Sequence, residues 1–384
     1  MNTKRILVLG GYGSTGRPLC NLLLQETAVQ VVVGGRTPAK GEAFAAELNE
    51  RFGGARATAV IVDAASLPSL QAALVGVDVV VAASSTSAYT ENIARAALAA
   101  HADYLDVNFS AHKTAVLKQL APEIEAAGFC FVTDGGFHPG VPAALVRFAA
   151  SRFDELQKAN VASVIKIDWR QVDVGLDTAE EMVSEFMGME SRYFQNGRWR
   201  KAPLMGMGGM LTMDYGEPFG RQYGVPMGLD EMAPLPEQIP GLRETGFFVG
   251  SFNWFTDWFI MPVVAVGIKI SRKWKRPLGR LLLWSLRQFT KPPYGTVLRL
   301  EAEGRKNGQT RQFVVQMTHD DGYVFTAVPA AACLLQLLDG SARQPGLHWQ
   351  GQLVEPARFL ADMARMGIDI QENESIGEVV MKPA

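Results

Sequence analysis

Between Leu9 and Arg17 the chain reads Gly10-Gly11-Tyr12-Gly13-Ser14-Thr15-Gly16, four glycines in seven residues. The run Ile6-Leu7-Val8-Leu9 precedes it and a helical pattern over Arg17–Gln25 follows. From Gly11 the spacing is G-x-G-x-x-G, and from Gly10 it is also G-x-x-G-x-x-G. Such a turn constrains the fold strongly, because it has a use mainly where a strand hands over to a helix and a backbone must approach a phosphate. Gly11 is expected to permit the tight turn, Gly13 to let the backbone approach a pyrophosphate, and Gly16 to allow close helix–strand packing. Tyr12, Ser14 and Thr15 complete the loop, and the free amides and positive dipole end of the helix favour an anion.

The flanking pattern agrees. Apolar runs at Ile6–Leu9, Val29–Val33, Ala57–Val62, Val77–Ala82, Tyr104–Val107 and Phe129–Thr133 alternate with helical patterns at Arg17–Gln25, Ala39–Phe52, Leu67–Leu74, Thr90–Ala100 and Lys113–Ala127. Near-continuous apolar strands separated by helices predict a parallel sheet covered on both faces, and right-handed crossovers make it doubly wound. The fold class expected is α/β, an N-terminal Rossmann domain followed by an α+β domain with an antiparallel sheet. At 384 residues the chain is too long for one ordinary core. The expected division is 1–152 for nucleotide binding, 153–330 for substrate and oligomer contacts, and 331–384 as a C-terminal helical segment packing back on the first domain.

Cofactor choice is written about 20 residues beyond the turn, where NAD enzymes place an acid for the ribose hydroxyls. Here the second strand ends Gly34-Gly35-Arg36-Thr37-Pro38-Ala39-Lys40, and the next acid, Glu42, lies inside the following helix. A carboxylate would repel a 2′-phosphate, whereas Arg36 can hold it bidentately, with Thr37 and Lys40 close behind. NADP(H) is the cofactor expected. Asp63 closes the third strand, in reach of the adenine end or in an ordinary turn. Ala83-Ser84-Ser85 follows the fourth strand, where small residues let the chain pass near the nicotinamide half.

These segments resemble the saccharopine dehydrogenase-like (saccharopine reductase type) family. The resemblance rests on Ile6–Arg17, Gly35-Arg36-Thr37, Tyr104-Leu105-Asp106 and Gly136-Phe137-His138-Pro139-Gly140-Val141-Pro142. Ala327-Val328-Pro329-Ala330 and Leu337-Leu338-Asp339-Gly340 also fit. It implies an NAD(P)-dependent oxidoreductase, NADP preferred, of a kind that often works at C–N bonds; relatives include carboxynorspermidine synthases and trans-acting enoyl reductases. The chain departs from the family at His138, where many members carry an acid, and in an aromatic-basic segment near residue 260.

Hydride transfer belongs to the cofactor, so the protein must supply orientation and a proton. No tyrosine has lysine four residues later, which disfavours the Tyr-x-x-x-Lys arrangement of short-chain dehydrogenases. His138 is the acid–base candidate, following the sixth strand with an ordinary pKa near 6.5; a structural histidine near a helix start is the competing account. Tyr104 and Asp106 could line the same crevice. The expected reaction is reduction of a C=N or activated C=C bond of a small or lipid-like substrate. Two other classes stay open: a non-catalytic NADP(H)-sensing binding protein, and a membrane-associated scaffold.

Cys20, Cys130 and Cys333 lack C-x-x-C spacing, and the five histidines show no paired spacing, so no metal site is expected. The cysteines suit a reducing compartment, and the short apolar run after Lys4 and Arg5 reads as a strand rather than a signal peptide. A cytoplasmic location is expected, in one reading peripheral to the inner face of a membrane. The net charge of −2 gives no general reason to expect nucleic acid as a partner.

Farther along, Val161–Val174 reads as a strand and Thr178–Arg192 as a helix. Leu298–Glu303 and Gln312–Thr318 read as a hairpin through Asn307-Gly308, and Val324–Leu338 and Pro356–Met366 as helices. Segment 250–290 carries Phe252, Trp254, Phe255, Trp258, Phe259 and Ile260 ahead of Met261–Ile268. Arg272, Lys273, Lys275, Arg276, Arg280 and Arg287 follow. Three readings compete for it: core or homodimer packing, a membrane-surface or greasy-substrate element, and a membrane span.

Overall fold

The computed structural model describes residues 3–171, 190–202, 209–250 and 252–376. They form two compact units, 3–144 with 323–368, and the described residues of 145–322 with 369–376.

In the first unit β1 (Arg5–Leu9) leads through the glycine turn into α1 (Gly16–Glu26), then β2 (Gln30–Gly35), α2 (Pro38–Phe52), β3 (Ala57–Ile61) and α3 (Leu67–Ala73). The wind continues with β4 (Val79–Ala82), α4 (Thr90–Ala99), β5 (Asp103–Asp106), α5 (Ala111–Ala127) and β6 (Cys130–Thr133); α6 (Pro142–Ala150) starts in this unit and belongs mostly to the second. β7 to β14 and the helices α7 (Met261–Ile270) and α8 (Lys275–Phe289) belong to the second unit. From Tyr323 the chain belongs again to the first, through most of α9 (Gly322–Leu338), β15 (Gly346–Trp349) and α10 (Pro356–Arg365).

The first sheet is parallel in the order β15-β6-β5-β4-β1-β2-β3. Its strands are almost wholly buried, with Ile6, Leu7, Val8, Val31, Val33, Val80 and Val81 at 0% exposure, which is what helices on both faces require. The order reverses between β1 and β4, so a crevice opens at the strand ends where Leu9 lies between Gly34 and Ala82. β15 extends the sheet beyond β6, and Arg343 grips Asp103 with two hydrogen bonds of 2.7 and 3.0 Å.

The second sheet has nine strands: β7 (Glu155–Lys166), β8 (Arg192–Gln195), β9 (Arg198–Lys201), β10 (Leu211–Asp214), β11 (Arg221–Met227), β12 (Glu244–Gly250), β13 (Gly295–Lys306), β14 (Gln309–His319) and β16 (Asp369–Ile376). The hairpin at Asn307-Gly308 joins β13 to β14 as expected, with both residues at positive φ. The sheet is mixed rather than purely antiparallel, because β12 pairs with β7 in parallel. The strand expected at Val161–Val174 lies earlier, at Glu155–Lys166, and most of the helix expected at Thr178–Arg192 falls outside the described residues.

The apolar-basic segment is not a span. A wide π turn at Thr256–Ile260 runs into α7, and α8 follows after Arg272–Trp274. Among the described residues no helix is long and apolar enough to cross a membrane. Ile260, Val264 and Ile268 pack against Leu278, Leu282 and Leu286, so the inner faces of the two helices form a core.

Candidate active site

The glycine turn is held by the backbone. The Gly10 and Gly11 amides both donate to the Gly34 carbonyl (2.9 and 3.1 Å), and the Gly13 amide donates to the Gly10 carbonyl (2.8 Å). Gly10 is the left-handed residue of the turn, at φ +79°. Gly11 is needed for another reason: a Cβ there would lie 3.0 Å from the Val8 carbonyl and 3.1 Å from a Val33 methyl. A Cβ on Gly16 would stand 2.1 Å from the Gly10 carbonyl oxygen, so the close-packing role of that glycine holds. On Gly13 it would meet one atom, the Gly10 oxygen at 3.0 Å, and otherwise occupy open space beside the turn. That open space is where a ligand backbone would lie.

The chain's own groups fit a dinucleotide phosphate there. Among the described residues the amides of Ser14, Thr15 and Gly16 find no backbone or side-chain acceptor, and Thr15 does not cap the helix with its side chain. Three donors at a helix start, with no acid in its first turn, make an anion cradle. Ser84, after β4, packs against the same turn, since a Cβ on Gly10 would lie 2.5 Å from its own Cβ. Ala83 is buried and continues the ladder by donating to the Leu9 carbonyl (3.0 Å), whereas Ser85 is exposed.

Beyond β2, Arg36, Thr37 and Lys40 are exposed, and neither Arg36 nor Lys40 makes an ion pair among the described residues. Tyr12 joins this corner to the turn. Its ring covers Gly35, where a Cβ would lie 2.4 Å away, and its hydroxyl accepts the Thr37 amide (2.9 Å). Asp63, at the end of β3, is engaged locally: its carboxylate accepts the Ala65 amide (3.0 Å) and its own amide donates to the Ser69 hydroxyl (3.1 Å). If Arg36 holds a 2′-phosphate, Arg36→Ala should weaken NADPH binding about 10–100-fold and leave NADH nearly unchanged. Titration by nicotinamide fluorescence checks this, and equal losses for both nucleotides would remove Arg36 from that role.

His138 sits in the Gly135–Gly140 turn after β6, with Phe137 edge-on to its ring at 4.0 Å and Phe137 stacked on Phe325 at 4.8 Å. Burial lowers its pKa to about 4, so at neutral pH the ring is uncharged and offers an N–H and a lone pair. The turn admits no side chain at Gly140, at φ +124°, where a Cβ would lie 2.3 Å from the Asp134 carbonyl. Gln350 donates to the Gly136 carbonyl (3.0 Å) and closes the turn from the C-terminal segment.

The sequence reading missed the group behind that turn. Lys113, in the first turn of α5, is 1% exposed and donates to Asp106 Oδ1 (2.6 Å) and Asp134 Oδ1 (2.7 Å). It also donates to the Asn108 carbonyl (2.5 Å). Thr133 donates to the other Asp106 oxygen (2.9 Å), and Asn108 donates to the Ser84 carbonyl (2.9 Å). The ends of β4, β5 and β6 are therefore tied through one buried ammonium. Its own pKa is raised despite the opposing cost of burial, because the two carboxylates hold the proton. Burial, then the Asp106 carboxylate, pushes the Tyr104 phenol well above its usual value, so Tyr104 is a packing residue against Phe131 at 5.2 Å. Burial also raises all three thiols, Cys130 to about 11, and leaves them inert. No cluster of metal-ligating side chains occurs among the described residues.

Residues 6–132 match the saccharopine dehydrogenase NADP binding domain family. The first unit carries a domain of that family. The matched domain binds NADP, which gives NADP(H) as the cofactor and an NAD(P)-dependent oxidoreductase as the enzyme class. The apo saccharopine dehydrogenase (L-Glu forming) of Saccharomyces cerevisiae is similar in fold. Its TM-score is 0.68 at 15% identity, covering 97% of this chain and 100% of that one. A Rossmann-fold NAD(P)-binding family protein from Shigella flexneri (TM-score 0.27, 18% identity, 34% of this chain and 66% of that one) shares too little to carry an argument. No curated protein matches the chain in sequence.

Proposed function

We propose that this saccharopine dehydrogenase-like chain reduces a C=N or activated C=C bond of a small or lipid-like substrate, with His138 as the proton-handling group. The observation that carries the reading is a neutral imidazole in the turn after β6, at the carboxyl edge of the sheet that holds the nucleotide cradle. NADPH, when bound, supplies the hydride. Hydride addition to one carbon of the double bond leaves negative charge on its partner atom, which needs a proton. His138 donates its N–H to that atom while its second nitrogen takes a proton from solvent, so the ring passes through no imidazolate. In the oxidising direction the same lone pair accepts the proton. Lys113 holds the ends of the strands that carry this turn, and Gly140 keeps the turn closed.

The lipid-like part of the reading is supported by a cavity of about 600 Å³ in the second unit. Phe252, Trp254, Trp258 and Phe289 line it, with Lys166, Lys291, Gln222 and Asn253 among its polar residues. Such a lining suits an apolar body bearing an acidic group.

The test is a screen of imines and enoyl substrates that follows loss of nicotinamide absorbance. With a substrate in hand, His138→Ala should lower kcat about 10²–10⁴-fold and leave NADPH affinity unchanged. Because the working ring is neutral and its pKa is about 4, the unmodified enzyme should keep its rate as pH falls through 6.5 and lose it nearer 4. A His138→Ala variant at full rate would remove His138 from the chemistry; NADPH binding with no turnover of any substrate would favour a cofactor-sensing protein.

A further inference from the structure

We infer that the outer face of the helical pair Thr256–Phe289 docks on an anionic lipid bilayer, lying in its interface. The first observation is an apolar helix with two apolar faces. Ile260, Val264 and Ile268 face the core formed with α8. Phe259, Val263, Val266 and Ile270 point the other way and are 50–68% exposed. A helix that is apolar all round normally has something covering both sides.

The second observation is where the aromatic residues stand. Trp254 is 64% exposed, and Trp274 and Trp284 are about half exposed. The platform is rigid: Phe255 stacks on Phe289 at 4.2 Å, and Trp254 meets Phe255 edge-on at 5.7 Å. Insertion would cost little conformational entropy. Tryptophans at the edge of an apolar stripe are the usual anchors at headgroup depth.

Charge selects the partner. Residues 250–291 hold eight lysines and arginines against one acid, Asp257, a local balance of +7 in a chain whose net charge is −2. That acid is half-buried and accepts from the Tyr223 hydroxyl (3.2 Å) and the Phe252 amide (3.2 Å). The exposed side of α8 carries Arg276, Arg280 and Arg287 around Trp284. An apolar stripe flanked by cations matches acyl chains under anionic headgroups. A second copy of the chain across a two-fold axis would instead set +7 against +7. Helix α7, at ten residues, spans about 15 Å, half of a hydrocarbon core, so the element lies on the bilayer rather than through it.

The inference goes beyond the reductase reading and is tested apart from it, by flotation of the full chain with vesicles. Vesicles containing phosphatidylglycerol should carry the protein at low salt, and pure phosphatidylcholine vesicles much less. Brominated lipid should quench its tryptophan emission. Phe259→Ser/Val263→Ser/Ile270→Ser should abolish flotation, and Lys273→Glu/Arg276→Glu/Arg280→Glu should weaken it about a hundredfold or more. Both variants should keep NADPH affinity and far-ultraviolet circular dichroism, which shows that they fold. Failure of the unmodified protein to float on either vesicle overturns the inference. So does a concentration-dependent dimer that the serine variant dissolves, since a second copy would then cover the face. Lost NADPH binding with intact flotation would count against the oxidoreductase reading alone.

Discussion

Lys113→Met is expected to lower the unfolding free energy of the first unit by about 3–5 kcal/mol, the range for stripping one partner from a buried ion pair. The reason is what stays behind. Asp106 and Asp134 are 0% and 6% exposed, and both aim Oδ1 at the vanished ammonium. Methionine fills much the same volume, so the loss is electrostatic rather than a cavity. Like charges confined away from water will take up a proton, which raises the folded-state pKa of one carboxylate. A raised acid pKa adds stability at low pH and loses it as pH rises, so the deficit should be largest near neutrality and shrink on acidification. Urea unfolding at several pH values measures this. A second replacement, Asp134→Asn in the Lys113→Met background, should recover part of the loss. A deficit below about 1 kcal/mol, with no pH dependence, would mean that the cluster is solvated like a surface pair.

Gly16→Ala should abolish measurable NADPH binding, a loss of at least about a hundredfold. The new Cβ would meet the Gly10 oxygen at 2.1 Å and the Gly11 Cα at 2.7 Å, all backbone, so either the turn or the start of α1 must move. Overpacking of this kind also costs about 1–3 kcal/mol of stability. Gly13→Ala separates the two effects. Its Cβ meets one atom at 3.0 Å and otherwise open space, so the fold should survive. NADPH affinity should still fall, because the methyl would stand where the pyrophosphate approaches. Unfolding midpoints and nucleotide titrations on both variants make the comparison. A Gly13→Ala protein that binds NADPH normally would place the phosphates elsewhere.

Much of the first unit was legible because each βα repeat carries its own signal. The apolar strands are short and buried on both faces, and their bounds agree with the expected ones to within about two residues. The turn glycines were legible as a set, but the backbone conformation of each was not. Which glycine goes left-handed depends on how Gly34 receives two amides, a tertiary fact. Lys113 was invisible for a similar reason. A lysine in the first turn of a helix reads as a solvated residue until the sheet brings Asp106 and Asp134 against it.

The second unit was harder, because its strands are decided by pairing. β7 begins at Glu155 with Gln157 and Lys158, polar residues on a ladder shared with β13, and it carries little alternation to read. The strands β8 to β11 are four to seven residues long in a stretch rich in glycine, methionine and proline, where local preference says little. The aromatic-basic segment signalled its composition clearly and its geometry not at all. Only the fold shows that one face of α7 is spent on the core and the other is left outside.

The account rests on a dinucleotide held by the amides of Ser14, Thr15 and Gly16, with Arg36 on its extra phosphate. The most direct measurement is titration of the unmodified protein with NADPH and NADH, read by nicotinamide fluorescence. Saturable NADPH binding, with NADH weaker by about one to two orders of magnitude, is the expected result. NADH held as tightly as NADPH, or neither nucleotide held at all, would contradict it.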